Sequence, residues 1–274
     1  MALPLDDDAL LALAGVSDPP PPEQGLFRRG CWLRRISSEP VLLFGGGRAL
    51  LLEIAHPLVA AGVAEHSSYR TDPFGRLQRT LEAMTAIVFR DRAAALAAAR
   101  GVERAHQRVA GRLAAPAGRF AAGTPYSGRD PELMLWVWAT LVDTAVAIYE
   151  RFVDELDADA RRDYYADHRS VVRVLGVPDA LVPPTWDAFR AWFDGMLASD
   201  ALAVTPVARE IAKAVLEPAA AISDARRLRL ITTGLLPPRL REAFGLSWDE
   251  VSAARLEALS ASVRGLRRPA ATAP

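Results

Sequence analysis

Cysteine is almost absent from this chain of 274 residues. Cys31 stands alone, so no intrachain disulfide can form, and the composition fits a reducing, cytoplasmic setting. Lysine is equally scarce: Lys213 is the only one among 33 basic residues, an arginine habit expected of a GC-rich coding genome. Net charge is missing too, because 33 acidic residues balance the basic ones, which argues against nucleic acid or an anionic membrane as main partner. The N-terminal MALPLDDDAL has no basic segment leading an apolar one, so no secretory signal is expected. Long uninterrupted apolar runs are lacking. Residues 41–63 are broken by Arg48, Glu53, His56 and Pro57, and residues 133–149 are short for a span and carry Asp143. Both read as buried helices, with no transmembrane segment. There is no P-loop, since GGGR lacks its lysine and spacing, and GTPYSG is not a G-x-S-x-G elbow. No run of alternating β-branched residues is convincing.

What remains is helix after helix, and the chain reads as all-α. Residues 1–25, ending in PPPPEQG, read as a flexible arm with one short helical turn at most; 26–266 read as a single helical domain and 267–274 as a disordered tail. Pro40 and Pro57 sit at helix starts. GRLQRTLEAMTAIVF is helical by pattern, and the alanine- and arginine-rich residues 92–113 form a strong helix. APAGRFAAGTPYSGRD is a loop before Pro131, which opens an apolar helix to about Phe152 capped by Asp130. Asp157 caps a helix ending at Gly176, and Thr185 and Thr205 open two more. Ser247 with Glu250 makes a capping box for the last long helix.

Polar groups inside apolar runs are the places to look for chemistry, because burying them is costly unless they are paired or bound. Asp143, alone in the most apolar helix, needs a buried cation, and Arg48 in GGGRALLLEIAHP needs a buried anion; they are expected to pair. Only four histidines exist: His56, His66, His106 and His168. Glu53/His56 and Glu103/His106 share the Glu-x-x-His spacing that di-iron carboxylate bundles use twice, with Glu82 and Glu150 as further carboxylates. Val102, His106, Val109 and Leu113 fall on one helical stripe, so the imidazole faces inwards. That suits a haem axial ligand whose other nitrogen meets an acceptor, or equally a core histidine bonded to a backbone carbonyl. Arg76, Arg79 and Thr80 share one helix face, fit to meet propionates or a polar pocket, or to be solvated.

Taken in order, FGGGRALLLEIAHPLVAAGVAEHS, DPFGRLQRT, RAHQRVAG, PYSGRDPELMLWVWATLVDTA and YERF resemble the haem-dependent oxygenase family of the latex-clearing rubber oxygenases and the fungal oxygenase that cleaves a prenyl chain in mycophenolic acid synthesis. The likeness runs collinearly from about Gly45 to Phe152 and continues more weakly through DYYADHR and GLLPPRLREAFG. The resemblance implies an all-α fold with a globin-like core, a b-type haem with iron held by His106, and Arg76, Arg79 and Thr80 on the distal side. Arg76 would anchor a propionate, and His66 with Glu65 would be the distal acid or base. The implied activity is dioxygen-dependent cleavage of an isoprenoid double bond, with an apolar substrate lying along Leu135, Trp138 and Val142. One departure stands out: Trp138 occupies a position where the family often carries a second histidine that organises the haem site. A non-haem di-iron oxygenase and a haem or lipid binder without turnover are the competing readings.

Overall fold

The computed structural model describes residues 6–16, 19–67, 73–217 and 225–267. Among these, thirteen α-helices, three short 3₁₀ helices and one two-stranded antiparallel sheet account for the regular structure. The chain is all-α in class. Its centre is α7 (Pro131–Phe152), whose buried positions include Leu135, Trp136, Trp138, Ala139, Val142, Asp143 and Tyr149. Proline at its first turn, with Asp130 Oδ1 accepting from the Glu132 N–H, starts this helix where the sequence places it. Helices α2 (Trp32–Ser37), α3 (Gly46–Ile54), α8 (Ala158–Val174) and α13 (Glu250–Arg267) pack on α7. So does the 3₁₀ segment Pro40–Gly45. α7 is long and apolar enough to cross a membrane by length and composition, and 61% of its most apolar window is buried inside the protein.

Glycine and arginine in the GGGR stretch have structural explanations. A Cβ at Gly45 would lie 2.8 Å from Thr144 Cγ2 on α7, and one at Gly47 would lie 2.3 Å from Thr232 Oγ1 on α11 (Ala225–Leu235). Glycine thus lets α3 approach both partners closely. Arg48 then ties the three helices together. Its guanidinium donates to Asp143 Oδ2 (2.6 Å), Thr144 Oγ1 (2.7 Å) and the Leu235 carbonyl (2.8 Å), a C-terminal helix oxygen with no partner inside its own helix. Asp143 also accepts from Arg190 of α9 (Trp186–Ala198). The expected Arg48–Asp143 pair is present, both residues are buried, and it is an interhelical bolt.

Four expectations change. Within the expected arm, among the described residues, α1 (Asp7–Ala14), capped by Asp6 and closed by Gly15 at φ 69°, packs against α8 with Leu10, Leu11 and Ala14 buried. The 92–113 helix stops early, as α6 (Arg92–His106). The chain then turns into β1 (Ala110–Arg112), paired with β2 (Pro125–Ser127) in a hairpin not foreseen. Packing overrides alanine propensity here: Val109 and Tyr126 close on Gly62 of α4 (Pro57–His66), and Tyr126 Oη donates to Glu65 at 2.5 Å. Val109 and Leu113 therefore do not continue the stripe of His106. At the last helix Asp249, not Ser247, is the cap, its Oδ1 accepting from the Ser252 N–H at 2.7 Å. Finally, Leu135, Trp138 and Val142, the expected substrate wall, are buried and packed into the main core. The expected tail, 267–274, lies outside the described residues beyond Arg267.

Candidate functional site

Pro57 forces the next feature. It restricts His56 to extended backbone (φ −82°, ψ 119°), so the chain bends by 112° between Pro40–Ile54 and Pro57–His66. The carbonyl freed at Ala55 accepts from the Ala203 N–H at 2.9 Å, and Trp136 Nε1 donates to the Leu52 carbonyl (3.2 Å) at the end of α3. Glu53 and His56 thus lie on opposite sides of a helix break instead of on one face. His56 is buried against Phe120 (ring centroids 5.0 Å), and burial, aided by Arg119, pulls its pKa down to about 4. Among the described residues no three His, Cys, Asp or Glu side chains come together as a metal-holding group, so the two Glu-x-x-His pairs do not make the four-carboxylate arrangement of a di-iron bundle.

His106 ends α6 and lines a pocket of about 50 Å³ with Glu103, Arg129, Pro131, Met134, Leu175, Gly176 and Pro178. The pocket lies where the end of α6, the start of α7 and the turn after α8 meet. Its walls are mostly apolar. Burial lowers the His106 pKa, opposed by the Glu103 carboxylate, so the ring is neutral at physiological pH. Its Nδ1 is buried, and among the described residues it has no hydrogen-bond partner, so the acceptor expected behind the ring is not found among them. Glu103 turns instead to Gln107 Nε2 (2.5 Å) and towards Arg129 (3.7 Å).

The other expected site residues lie at different distances from this pocket. α5 (Pro73–Phe89) and α6 are joined by two residues and pack together as an antiparallel pair, so the start of α5 lies at the same end as His106. Arg79 and Thr80 are there, exposed, and do not line the pocket; the side chain of Arg76 lies outside the described part of the structure. His66 is elsewhere, its Nε2 3.0 Å from the Ala110 carbonyl and its ring edge-on to Tyr126. With Glu65 it fastens the β hairpin to α4. Trp138, one turn along α7 from Met134, is buried with Nε1 unpartnered, edge-on to His168 (6.2 Å) and close to Tyr165 and Phe189. His168 on α8 is fully enclosed, and burial drives its pKa to about 3. The imidazole next to position 138 therefore comes from α8. Glu82 lies on α5, exposed and bonded by Gln78, and Glu150 on α7 is held by Arg161; neither approaches His106 as a metal ligand.

Sequence reasoning missed Arg129, Met134 and the Leu175–Pro178 turn. Arg129 was visible as the one cation in SGRDPELM, directly before the Asp130 cap, where the chain must turn into α7. Nothing local indicated that the turn after α8 would close over it.

The fold and this pocket define an all-α protein presenting one neutral imidazole to a largely apolar recess. Residues 33–267 match the family described as ER-bound oxygenase mpaB/B'/rubber oxygenase, catalytic domain, and the chain belongs to that family. An uncharacterized protein of Mycobacterium bovis and another of Mycobacterium tuberculosis are each 29% identical over 237 residues, covering 78% of this chain and 84% of theirs. No solved structure matches. The family is an oxygenase family, which supports an oxygenase function for this chain.

Proposed function

We propose that the protein is a haem b-dependent oxygenase acting with dioxygen on an apolar alkene, of isoprenoid type, with His106 as the residue that would hold the iron. The observation that carries this reading is the His106 pocket within an oxygenase-family chain. An imidazole kept neutral by burial has a lone pair ready for a metal, and its neighbours Pro131, Met134, Leu175 and Pro178 offer apolar contact to a macrocycle. In donor chemistry the residues fit a haem. In size the recess does not yet: about 50 Å³ holds a few waters, far below the hundreds of Å³ of an organic-ligand site, so loading requires it to widen.

When bound, haem supplies dioxygen activation. The chain's part is to hold, orient and exclude water. His106 holds from the end of α6. Arg79 and Thr80, on α5, would offer a permanent cation and a hydroxyl to the group, with Arg76 beside them on the same helix. Because arginine keeps its proton, Arg79 would act as a hydrogen-bond donor and not as a metal ligand. Trp138 and His168 stiffen the α7–α8 wall one turn behind Met134. The test is reconstitution with haem b: the wild type should show a Soret band that His106→Ala loses, while His168→Ala retains it. Equal spectra for wild type and His106→Ala end the assignment.

A further inference from the structure

A second recess, of about 350 Å³, lies where the N-terminal segment crosses α8, and its volume is in the range of small-molecule sites. Val16 after α1, Leu26 and Phe27 of the crossing segment, Cys31 at the start of α2, and Asp167 and Ser170 on α8 line it. The crossing segment is fixed in place. Arg34 donates to the Gln24 (2.9 Å) and Phe27 (2.8 Å) carbonyls and to the Phe89 carbonyl of α5 (3.0 Å), and Arg92 of α6 donates to the Pro20 carbonyl. Asp167 stands half-buried on this lining. Two neutral donors face it, the Cys31 thiol and the Leu33 N–H, and the nearest charge acting on it is another carboxylate, Asp163, one turn earlier on α8. Burial, and then that like charge, hold Asp167 above the usual carboxylate range. Arg28 also lines the recess, but among the described residues no arginine or lysine pairs with Asp167. Burial pushes the Cys31 thiol up to about 11, so it stays a protonated donor and not a nucleophile. The recess therefore holds a carboxylate partly withdrawn from water and lacking a cation.

We infer that this recess is a binding site for a small amine in its ammonium form: the ammonium pairs with Asp167, and the apolar body of the ligand lies against Val16, Leu26 and Phe27. Asp167 and Ser170 are three residues apart and share a face of α8, so a carboxylate and a hydroxyl oxygen stand side by side to accept from one ammonium group, which carries three donors. A cation there supplies the charge that the surroundings of Asp167 lack, and a charge-assisted bond in a half-buried place is stronger than one in open water. The site shares no lining residue with the His106 pocket, and the inference does not depend on the oxygenase reading.

The test is calorimetric titration of the full chain at neutral pH with n-hexylammonium, n-hexanol and n-hexanoate, which share one apolar chain and differ in charge. The wild type should bind hexylammonium more tightly than hexanol by about 10-fold or more, the range of a charge-assisted hydrogen bond, and hexanoate least of all. Asp167→Asn, which keeps the shape and removes the charge, should bring hexylammonium down to the level of hexanol. Val16→Trp, which fills the recess and leaves Asp167 in place, should weaken both, and it locates the site should Asp167→Asn fail to fold. Cys31→Ser, still a neutral donor, should bind as the wild type does. A wild type that binds hexylammonium no better than hexanol overturns the inference, as does a preference that survives in folded Asp167→Asn or binding unchanged in Val16→Trp. Tightest binding of hexanoate would make the recess an anion site and overturn it equally.

Discussion

Replacing Asp143 should cost more than replacing either arginine that meets it, and the structure says why. Asp143 takes Arg48 on one oxygen and Arg190 on the other. Asp143→Ala strands the Arg48 guanidinium, whose side chain is 6% exposed, and leaves Arg190, 34% exposed, free to hydrate. One buried unpaired charge costs about 3–5 kcal/mol. Arg48→Met leaves Asp143 still paired with Arg190 and gives up the bonds to Thr144 and the Leu235 carbonyl, about 2–3 kcal/mol at roughly 1 kcal/mol per lost partner plus desolvation. Arg190→Ala, at a half-open position with Asp143 still held by Arg48, should cost about 1 kcal/mol or less. Urea unfolding should therefore rank Asp143→Ala below Arg48→Met below Arg190→Ala in stability, with the first losing on the order of 10 °C in Tm. The Arg48→Met/Asp143→Ala double variant should be more stable than the sum of its parts by at least about 1.5 kcal/mol. An additive cycle, or Arg190→Ala as the worst of the three, would refute the reasoning.

Two further outcomes follow from the same geometry. His56 and His168 are buried neutral, with folded pKa values near 4 and near 3, below the unfolded value of 6.5. The unfolded chain therefore binds the extra protons first, and stability should fall by about 1.4 kcal/mol per pH unit for each histidine as pH drops below 6.5, the loss continuing to about pH 4 for His56 and pH 3 for His168. His168→Gln should flatten that slope by one proton, read from urea midpoints at pH 7, 6 and 5; an unchanged slope contradicts the burial of a neutral ring. Arg79→Leu, at an exposed position, should leave Tm within about 1 °C and haem content intact, yet change autoxidation and lower oxygen-dependent turnover; a variant indistinguishable in oxygen reactivity removes Arg79 from the site.

Local rules read well wherever one chain segment satisfied itself. Asp130, Asp157, Thr185 and Thr205 cap the helices expected of them, because each cap bonds an N–H only two or three residues ahead. The Arg48–Asp143 bolt was legible for a different reason: two opposite charges in the two most apolar stretches have few other places to go. Where distant packing decides, the reading failed. The hairpin after His106 exists because Tyr126 and Val109 close on Gly62 across the fold, and no residue near Arg104 announces it. α1 looked like an arm because its helix is short and acidic, yet Leu10 and Leu11 find α8, about 150 residues later. Glu53 and His56 match a ligand spacing on paper, and Pro57 takes that spacing off the helix.

His106 is the residue on which the functional account stands, and one measurement bears on it most directly: the visible spectrum and iron content of the protein purified after expression with haem supply, beside His106→Ala prepared in the same way. The account predicts a Soret band and about one iron per chain in the wild type, both lost or sharply weakened in His106→Ala at unchanged far-ultraviolet circular dichroism. A wild type with no Soret band, or a His106→Ala variant that keeps it in full, would contradict it.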